Sequence, residues 1–277
     1  MDHTKKYLIT GGTGFLGVEL INRLILNGFT NLRVISRDEG KLIELKERYP
    51  FIEIQPGDIC SFFDMDKACQ GVDGVFHLAA MKHVGLAEDN PRLCIESNVI
   101  GTMNLLECSQ GADFVLGVSS DKAANVKGVY GASKLLMEGL FKDYEKLSET
   151  QYRIVRYGNV WGSTGSIATK WKEKMTRGEE VILTEGTATR FYWTVREAVD
   201  LIFECLEKAQ DSTPYVTEMK AADMDTVLRA CMEKYGEVKV NVIGLQKGEN
   251  LHETIDGVNY SDKAERYTKE EFIKKFL

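Results

Sequence analysis

Asp121, Lys122, Tyr130 and Lys134 fall within one short stretch and are all of a kind that can move protons. Tyr130 and Lys134 stand four apart, one helical turn, so on a helix both project from the same face. An ammonium placed there lowers the pKa of the phenol and bridges the ribose of a nicotinamide cofactor, and the phenolate then serves as base in the oxidation of a hydroxyl. Asp121 and Lys122 follow Phe114 to Ser119, a short apolar run that reads as a strand. The carboxyl ends of such strands are where open α/β sheets place their ligands. The plain alternative, an exposed ion pair in a loop, carries little energy.

Such a site needs a cofactor cradle, and the sequence offers one near its start. Immediately after an apolar run comes Thr10-Gly11-Gly12-Thr13-Gly14-Phe15-Leu16-Gly17, and an amphipathic helix begins inside it. Glycines at 11, 14 and 17 permit a tight turn and close backbone approach, while a helix N-terminus offers unpaired N–H groups to a pyrophosphate. Thr13, Phe15 and Leu16 complete the predicted cradle. The second strand ends with Ser36-Arg37-Asp38, where an NAD-preferring site carries its ribose-reading acid. A hydroxyl and a guanidinium arrive first, and Lys41 follows one turn on, so a 2′-phosphate is favoured and NADP is preferred. Asp38 keeps NAD in contention. By fold position, Asp58 and Ile59 meet the adenine edge, and the small Ala79 and Ala80 let the cofactor ribose come close.

Strand and helix signals alternate throughout the first half, as in a doubly wound parallel sheet. Strands are predicted at 7–10, 32–36, 51–55, 74–78, 114–119 and 152–156. Core-facing helical stripes are predicted from Phe15, Leu16, Leu20, Leu24 and Ile25; from Val99, Met103 and Leu106; and from Leu135, Leu136, Leu140 and Phe141. After Asn159 the alternation loosens, with helices near 167–177, 195–208 and 222–234 and strands at 181–183 and 238–243. The expected organisation is a Rossmann domain over 1–158 and a smaller substrate-binding lobe over 159–277, with segments returning to the main sheet.

With 277 residues, 43% hydrophobic and 28% charged, the chain has the composition of a folded globular protein. A net charge of −7 argues against nucleic-acid binding, which needs a clustered cationic excess. The six cysteines contain no C-x-x-C pair and read as reduced thiols. With a polar N-terminus and no apolar run long enough to span a bilayer, they set the expectation of a cytoplasmic protein without a membrane span. His77 lies within a strand and reads as a core histidine. No set of His, Cys and carboxylates has metal-ligand spacing.

The stretches TGGTGFLG (10–17), SRDEGK (36–41), LAAMKHV (78–84), SSDKAAN (119–125), YGASK (130–134), RYGNVWGS (156–163), TRFYWT (189–194) and GENLHE (248–253) run in the order found in a known family. On these residues the sequence resembles the UDP-N-acetylglucosamine 4,6-dehydratases of the extended short-chain dehydrogenase/reductase superfamily. The resemblance implies oxidation of carbon 4 of a UDP-linked N-acetyl amino sugar, loss of water across carbons 5 and 6, and return of the hydride to carbon 6. It implies Lys122 as base and Asp121 as acid in the elimination. It also implies that Lys82, Ser120, Asn159, Arg190 and Glu249 contact substrate, Arg190 at the diphosphate and Glu249 at the uridine ribose, and that Val160 lines the nicotinamide. His83 is as readily structural. A homo-oligomer is expected from the fold's habit of pairing through helices.

Two departures bear on the substrate. Thr164 stands where the family usually has Arg, and Gln246-Lys247 replaces Arg-Pro, so two guanidiniums expected near the diphosphate are missing. Two other readings compete: a UDP-sugar 4-epimerase, which uses Tyr130 and Lys134 and leaves Asp121 and Lys122 idle, and a non-catalytic NADPH sensor.

Overall fold

The computed structural model describes residues 1–277. Six strands, β1 (Tyr7–Thr10), β2 (Leu32–Ser36), β3 (Glu53–Pro56), β4 (Gly74–His77), β5 (Phe114–Ser120) and β6 (Gln151–Tyr157), form one sheet in the order β3-β2-β1-β4-β5-β6. Every pairing in it is parallel. β1, β4 and nearly all of β5 are buried, which is why they read as unbroken apolar runs. The first half supplies helices α1 (Phe15–Leu26), α2 (Glu39–Arg48), α3 (Phe62–Cys69), α4 (Val84–Asp89), α5 (Pro91–Ile95), α6 (Gly101–Cys108) and α7 (Val129–Tyr144). A π-turn, Glu96–Ile100, joins α5 to α6.

The remainder contributes β7 (Asn159–Val160), α8 (Ile167–Thr176), β8 (Val181–Leu183), β9 (Thr189–Trp193), α9 (Val195–Lys208), β10 (Ala221–Asp223), α10 (Met224–Tyr235), β11 (Val240–Val242) and α11 (Lys269–Phe276). Its strands form two small sheets, β10-β9-β7 and β11-β8. Trp171, Val181, Tyr192, Leu228 and Phe272 close a separate core there. α9 instead packs with α1 on one face of the large sheet, burying Ala198, Val199, Leu201, Ile202 and Cys205 in its core. Thr194 and Glu197 start α9 with a reciprocal capping box. α3, α6 and α7 cover the opposite face. No helix is long and apolar enough to cross a membrane.

Several sequence expectations need correction. The third strand begins at Glu53, not Phe51, because Arg33 pairs with Glu53 in register and Phe51 is left exposed. The stripe through Val99 and Met103 is out of phase: the π-turn adds a residue to the helix, so Asn98, Gly101, Thr102 and Leu105 face inward and Met103 is exposed. On α7, Leu135 and Leu136 are exposed while Lys134 and Glu138 are buried. The inner face of that helix is given to charge, with Arg156 donating to both oxygens of Glu138. The helix expected from Ala222 starts at Met224, where Asp223 ends β10 and caps α10 by accepting the Thr226 N–H.

Candidate active site

A cavity of about 830 Å³ opens at the carboxyl ends of β1 and β4, the point where the strand order reverses. The glycine loop forms one end. A side chain at Gly17 would bring its Cβ to 2.4 Å from Gly11 O, and one at Gly11 would meet the Ala79 N at 2.8 Å. The loop therefore presses helix on strand and leaves backbone facing the cavity. No side chain caps α1 at Gly14, so its first N–H groups stay free for an anion. Gly11, Thr13, Gly14, Phe15, Leu16 and Gly17 all line this end.

Beside them the cavity wall includes Ser36, Arg37, Lys41, Asp58, Ile59, Ala79 and Ala80. Thr13 and Ser36 share a hydrogen bond of 2.8 Å. Asp38 accepts the Lys41 N–H as N-cap of α2, and the Lys41 ammonium sits 3.0 Å from the same carboxylate. That backbone hydrogen bond holds the Asp38 carboxyl below its usual range. Arg37 stays largely exposed, 3.8 Å from Asp58. Arg37 is thus open to solvent beside Asp58, while Asp38 is engaged by its cap and by Lys41. The backbone cradle and free helix terminus together fit the pyrophosphate of a dinucleotide.

The other end is built from β5, the turn after it and α7. Ser120 ends β5 and accepts the Lys122 N–H, opening the short 3-10 turn Asp121–Ala123. Gly131 lets α7 approach this turn, since a Cβ there would lie 2.4 Å from Lys122 O. Glu88 of α4 accepts the Val129 N–H and fixes the start of α7. Ser120, Lys122, Tyr130, Lys134, Asn159, Val160 and Lys82 all line the cavity.

Three predicted residues do not. Asp121 is fully buried behind Lys122; its Oδ1 accepts from the Ser120 hydroxyl at 2.8 Å and from Lys122 Nζ at 2.9 Å, and its Oδ2 has no partner. Arg190 turns inward, donating to Thr189 O and Leu251 O, with Nε 3.7 Å from Glu253. Glu249 accepts the Gln246 N–H in its own turn.

The electrostatics also differ from the sequence expectation. Burial pushes the Tyr130 phenol up, and the charge that opposes this is that of Lys122, helped by the Ser120 hydroxyl. Lys134 donates instead to Val118 O at 2.9 Å, and burial lowers its pKa to about 8. For Lys122 burial disfavours the charge, yet Asp121 and Glu253 outweigh it and hold the ammonium above its ordinary value. Lys82 is lowered by burial alone. His77, between Thr10 and Thr102 at 2.8 and 3.0 Å, is driven by burial down to about 3 and is a neutral core residue.

Sequence reasoning missed Glu253, although it closes the GENLHE segment from which Glu249 was chosen. It also missed Tyr157, whose ring lines the cavity and whose hydroxyl is buried without a partner. Asn98 bonds both backbone groups of Met81 and so fixes the loop that carries Lys82. Its signal was hidden by the phase shift of the π-turn.

Comparison with known proteins places this geometry among others. The profile of the family described as polysaccharide biosynthesis protein matches residues 7–275. An uncharacterized membrane protein of Methanocaldococcus jannaschii is 34% identical over 91% of this chain and 80% of its own length. A UDP-N-acetylglucosamine 4,6-dehydratase (inverting) of Campylobacter jejuni is 33% identical, with 91% and 78% covered. A UDP-glucose 4-epimerase of Rickettsia akari is 32% identical, with 91% and 77% covered. Among solved structures, Pen from Bacillus thuringiensis superposes with a TM-score of 0.92 at 27% identity, covering 98% of this chain and 96% of that one. A UDP-glucuronic acid 4-epimerase from Bacillus cereus, in complex with UDP-glucuronic acid and NAD, shares the fold with a TM-score of 0.84 at 19% identity, covering 98% and 97%.

Proposed function

The chain belongs to the polysaccharide biosynthesis protein family of the extended short-chain dehydrogenase/reductase superfamily, and from that membership we propose that it is a UDP-N-acetylglucosamine 4,6-dehydratase working with tightly bound NADP. The observation that carries this reading is the Lys122–Asp121 pair, with Lys122 at the wall of the cavity that also collects the glycine loop, Tyr130 and Lys134, and Asp121 buried directly behind it. Oxidation at carbon 4 alone has no use for such a pair.

A nicotinamide dinucleotide, which the glycine loop, Lys134 and Val160 would hold, would supply the hydride acceptor and donor for this chemistry. The chain does the rest. Tyr130 takes the proton from the carbon-4 hydroxyl, with the Lys122 charge favouring its phenolate and Lys134 at the cofactor ribose. The resulting ketone makes the carbon-5 proton acidic. Moving one proton from Nζ to Oδ1, across 2.9 Å, turns Lys122 into an amine and Asp121 into an acid. Lys122 then takes the carbon-5 proton and delivers a proton to the departing carbon-6 oxygen, and Asp121 returns its own to Nζ. Because Asp121 lies behind Lys122, it acts through that amine in this scheme. As the hydride reaches carbon 6, carbon 5 takes a proton from solvent and Tyr130 releases to solvent the proton it took from the carbon-4 hydroxyl, so protons balance and one water leaves.

NADP is favoured over NAD because Asp38 is spent on its cap while Arg37 is exposed; the Bacillus cereus neighbour holds NAD. The division into a nucleotide domain over 1–158 and a substrate lobe over 159–277 belongs to the same proposal, as does pairing of two copies through the exposed Met103, Leu135 and Leu136. A 4-epimerase is the second reading, favoured by the Rickettsia akari relative. Mass and NMR analysis of the product from UDP-N-acetylglucosamine with NADP in deuterated water separates them: dehydration removes one water and places deuterium at carbon 5. A product of unchanged mass inverted at carbon 4 would make the chain an epimerase.

A further inference from the structure

Behind the Lys122 ammonium lies a buried group of charges drawn from distant parts of the chain. Its Nζ is 2.9 Å from Asp121 Oδ1 and 3.5 Å from Glu253 Oε1. Glu253, 2% exposed, has Arg190 Nε at 3.7 Å and accepts the Asn250 amide at 3.2 Å. Asn250 in turn bonds Asn125, just past the Asp121 turn. The loop 250–253 is thereby tied to both the catalytic turn and β9.

We infer that Glu253 is a positioning residue for proton transfer at Lys122, and that Arg190 is the counter-ion that tunes it, not a clamp on the substrate diphosphate. The inference rests on the proposed elimination for its purpose, though the charge geometry stands without it. Lys122 meets two carboxylates and only one opposing cation. Each carboxylate favours the ammonium, and Arg190 disfavours it both directly and by drawing on Glu253. The other groups around Lys122 are neutral: Tyr130 from α7, Tyr192 from β9, and the amides of Asn125 and Asn250. With Asp121 fixed at 2.9 Å, the ammonium's readiness to give up its proton is then adjusted by the balance between Glu253 and Arg190. Of the three Arg190 guanidinium nitrogens, Nη1 donates to two backbone carbonyls and Nε faces Glu253, so the group is turned to protein rather than to the cavity.

A purely structural staple predicts something else. If Arg190 and Glu253 only tie the loop to β9, removing either loosens the site, and Lys122 relaxes toward its ordinary, lower pKa in both cases. The charge-balance account predicts opposite signs. Acetylation of Lys122 by a limiting reagent at pH 8, read by peptide mass spectrometry against the exposed Lys263, reports the fraction of free amine without relying on turnover. In the full chain without added cofactor, Glu253→Gln is expected to react about tenfold or more faster than the wild type. Arg190→Met is expected to react several-fold slower, and Glu253→Asp to stay near the wild type.

Faster labelling in Arg190→Met, or unchanged labelling in Glu253→Gln, would overturn the inference. Should Glu253→Gln fail to fold, Arg190→Met against Arg190→Lys carries the test: the Met variant slows and the Lys variant does not, or the inference fails. If the product assay shows no dehydration while these labelling rates move as stated, the proposed reaction falls and the charge balance stands. If dehydration is seen and the rates do not move so, the reverse holds.

Discussion

At the nucleotide end of the cavity the wall is backbone: glycines 11 and 17 press a helix against a strand so closely that a Cβ would sit 2.4 to 2.8 Å from main-chain atoms. At the sugar end the wall is charge, with Lys122 set between Asp121 and Glu253. The first is fixed by shape and fails through steric intrusion. The second is fixed by a balance of ions and fails through a change of protonation that leaves the shape intact. Substitutions at the two ends should therefore separate cofactor binding from chemistry.

The largest effect is expected at the charged end. Lys122→Met should reduce turnover on UDP-N-acetylglucosamine by about a thousandfold, within the range for loss of a positioned acid or base, while fluorescence titration shows NADP bound as in the wild type. Loss of NADP binding in that variant would break the separation. Gly17→Ala should do the converse, lowering stability by about 1–3 kcal/mol through overpacking and weakening NADP at least tenfold. Urea unfolding and the same titration check both.

Beneath the glycine end, neutral His77 sharpens the contrast. Its folded pKa lies below that of the unfolded chain, so the unfolded state binds the proton first as pH falls below about 6.5. Stability is intact above that pH and is lost progressively toward pH 3, by about 2 kcal/mol at pH 5. Urea midpoints at pH 7 and 5 should differ less in His77→Gln than in the wild type, and an equal difference would remove His77 from the acid response. The smallest effect is expected at the exposed cation: Arg37→Ala should weaken NADP about tenfold, or ~1.4 kcal/mol, and leave NAD unchanged. Equal loss for both dinucleotides would mean that Arg37 does not read the 2′-phosphate.

The same contrast explains what the sequence revealed. The cradle is local: the glycines, the following helix and the strand before them are contiguous, so their spacing alone foretold the geometry. The sheet was equally legible because buried parallel strands are written as apolar runs. The charged wall joins residues 121 and 122 to 190, 250 and 253, and no periodicity connects these positions. Glu249 and Glu253 show the difficulty, since two acids of one short segment are turned to different partners by the loop that carries them. Leu135 and Leu136 misled for a related reason: α7 buries Lys134 and Glu138, against the rule that apolar side chains face inward, because the site needs charge there.

The central claim is that the hydride taken from carbon 4 comes back to carbon 6 of the same sugar, while Lys122 moves the protons of the elimination. UDP-N-acetylglucosamine carrying deuterium at carbon 4 tests it directly, with the product read by NMR. The account predicts that the label moves to carbon 6 of a 4-keto-6-deoxy sugar. Label returned to carbon 4, with carbon 6 still bearing its hydroxyl, would contradict it.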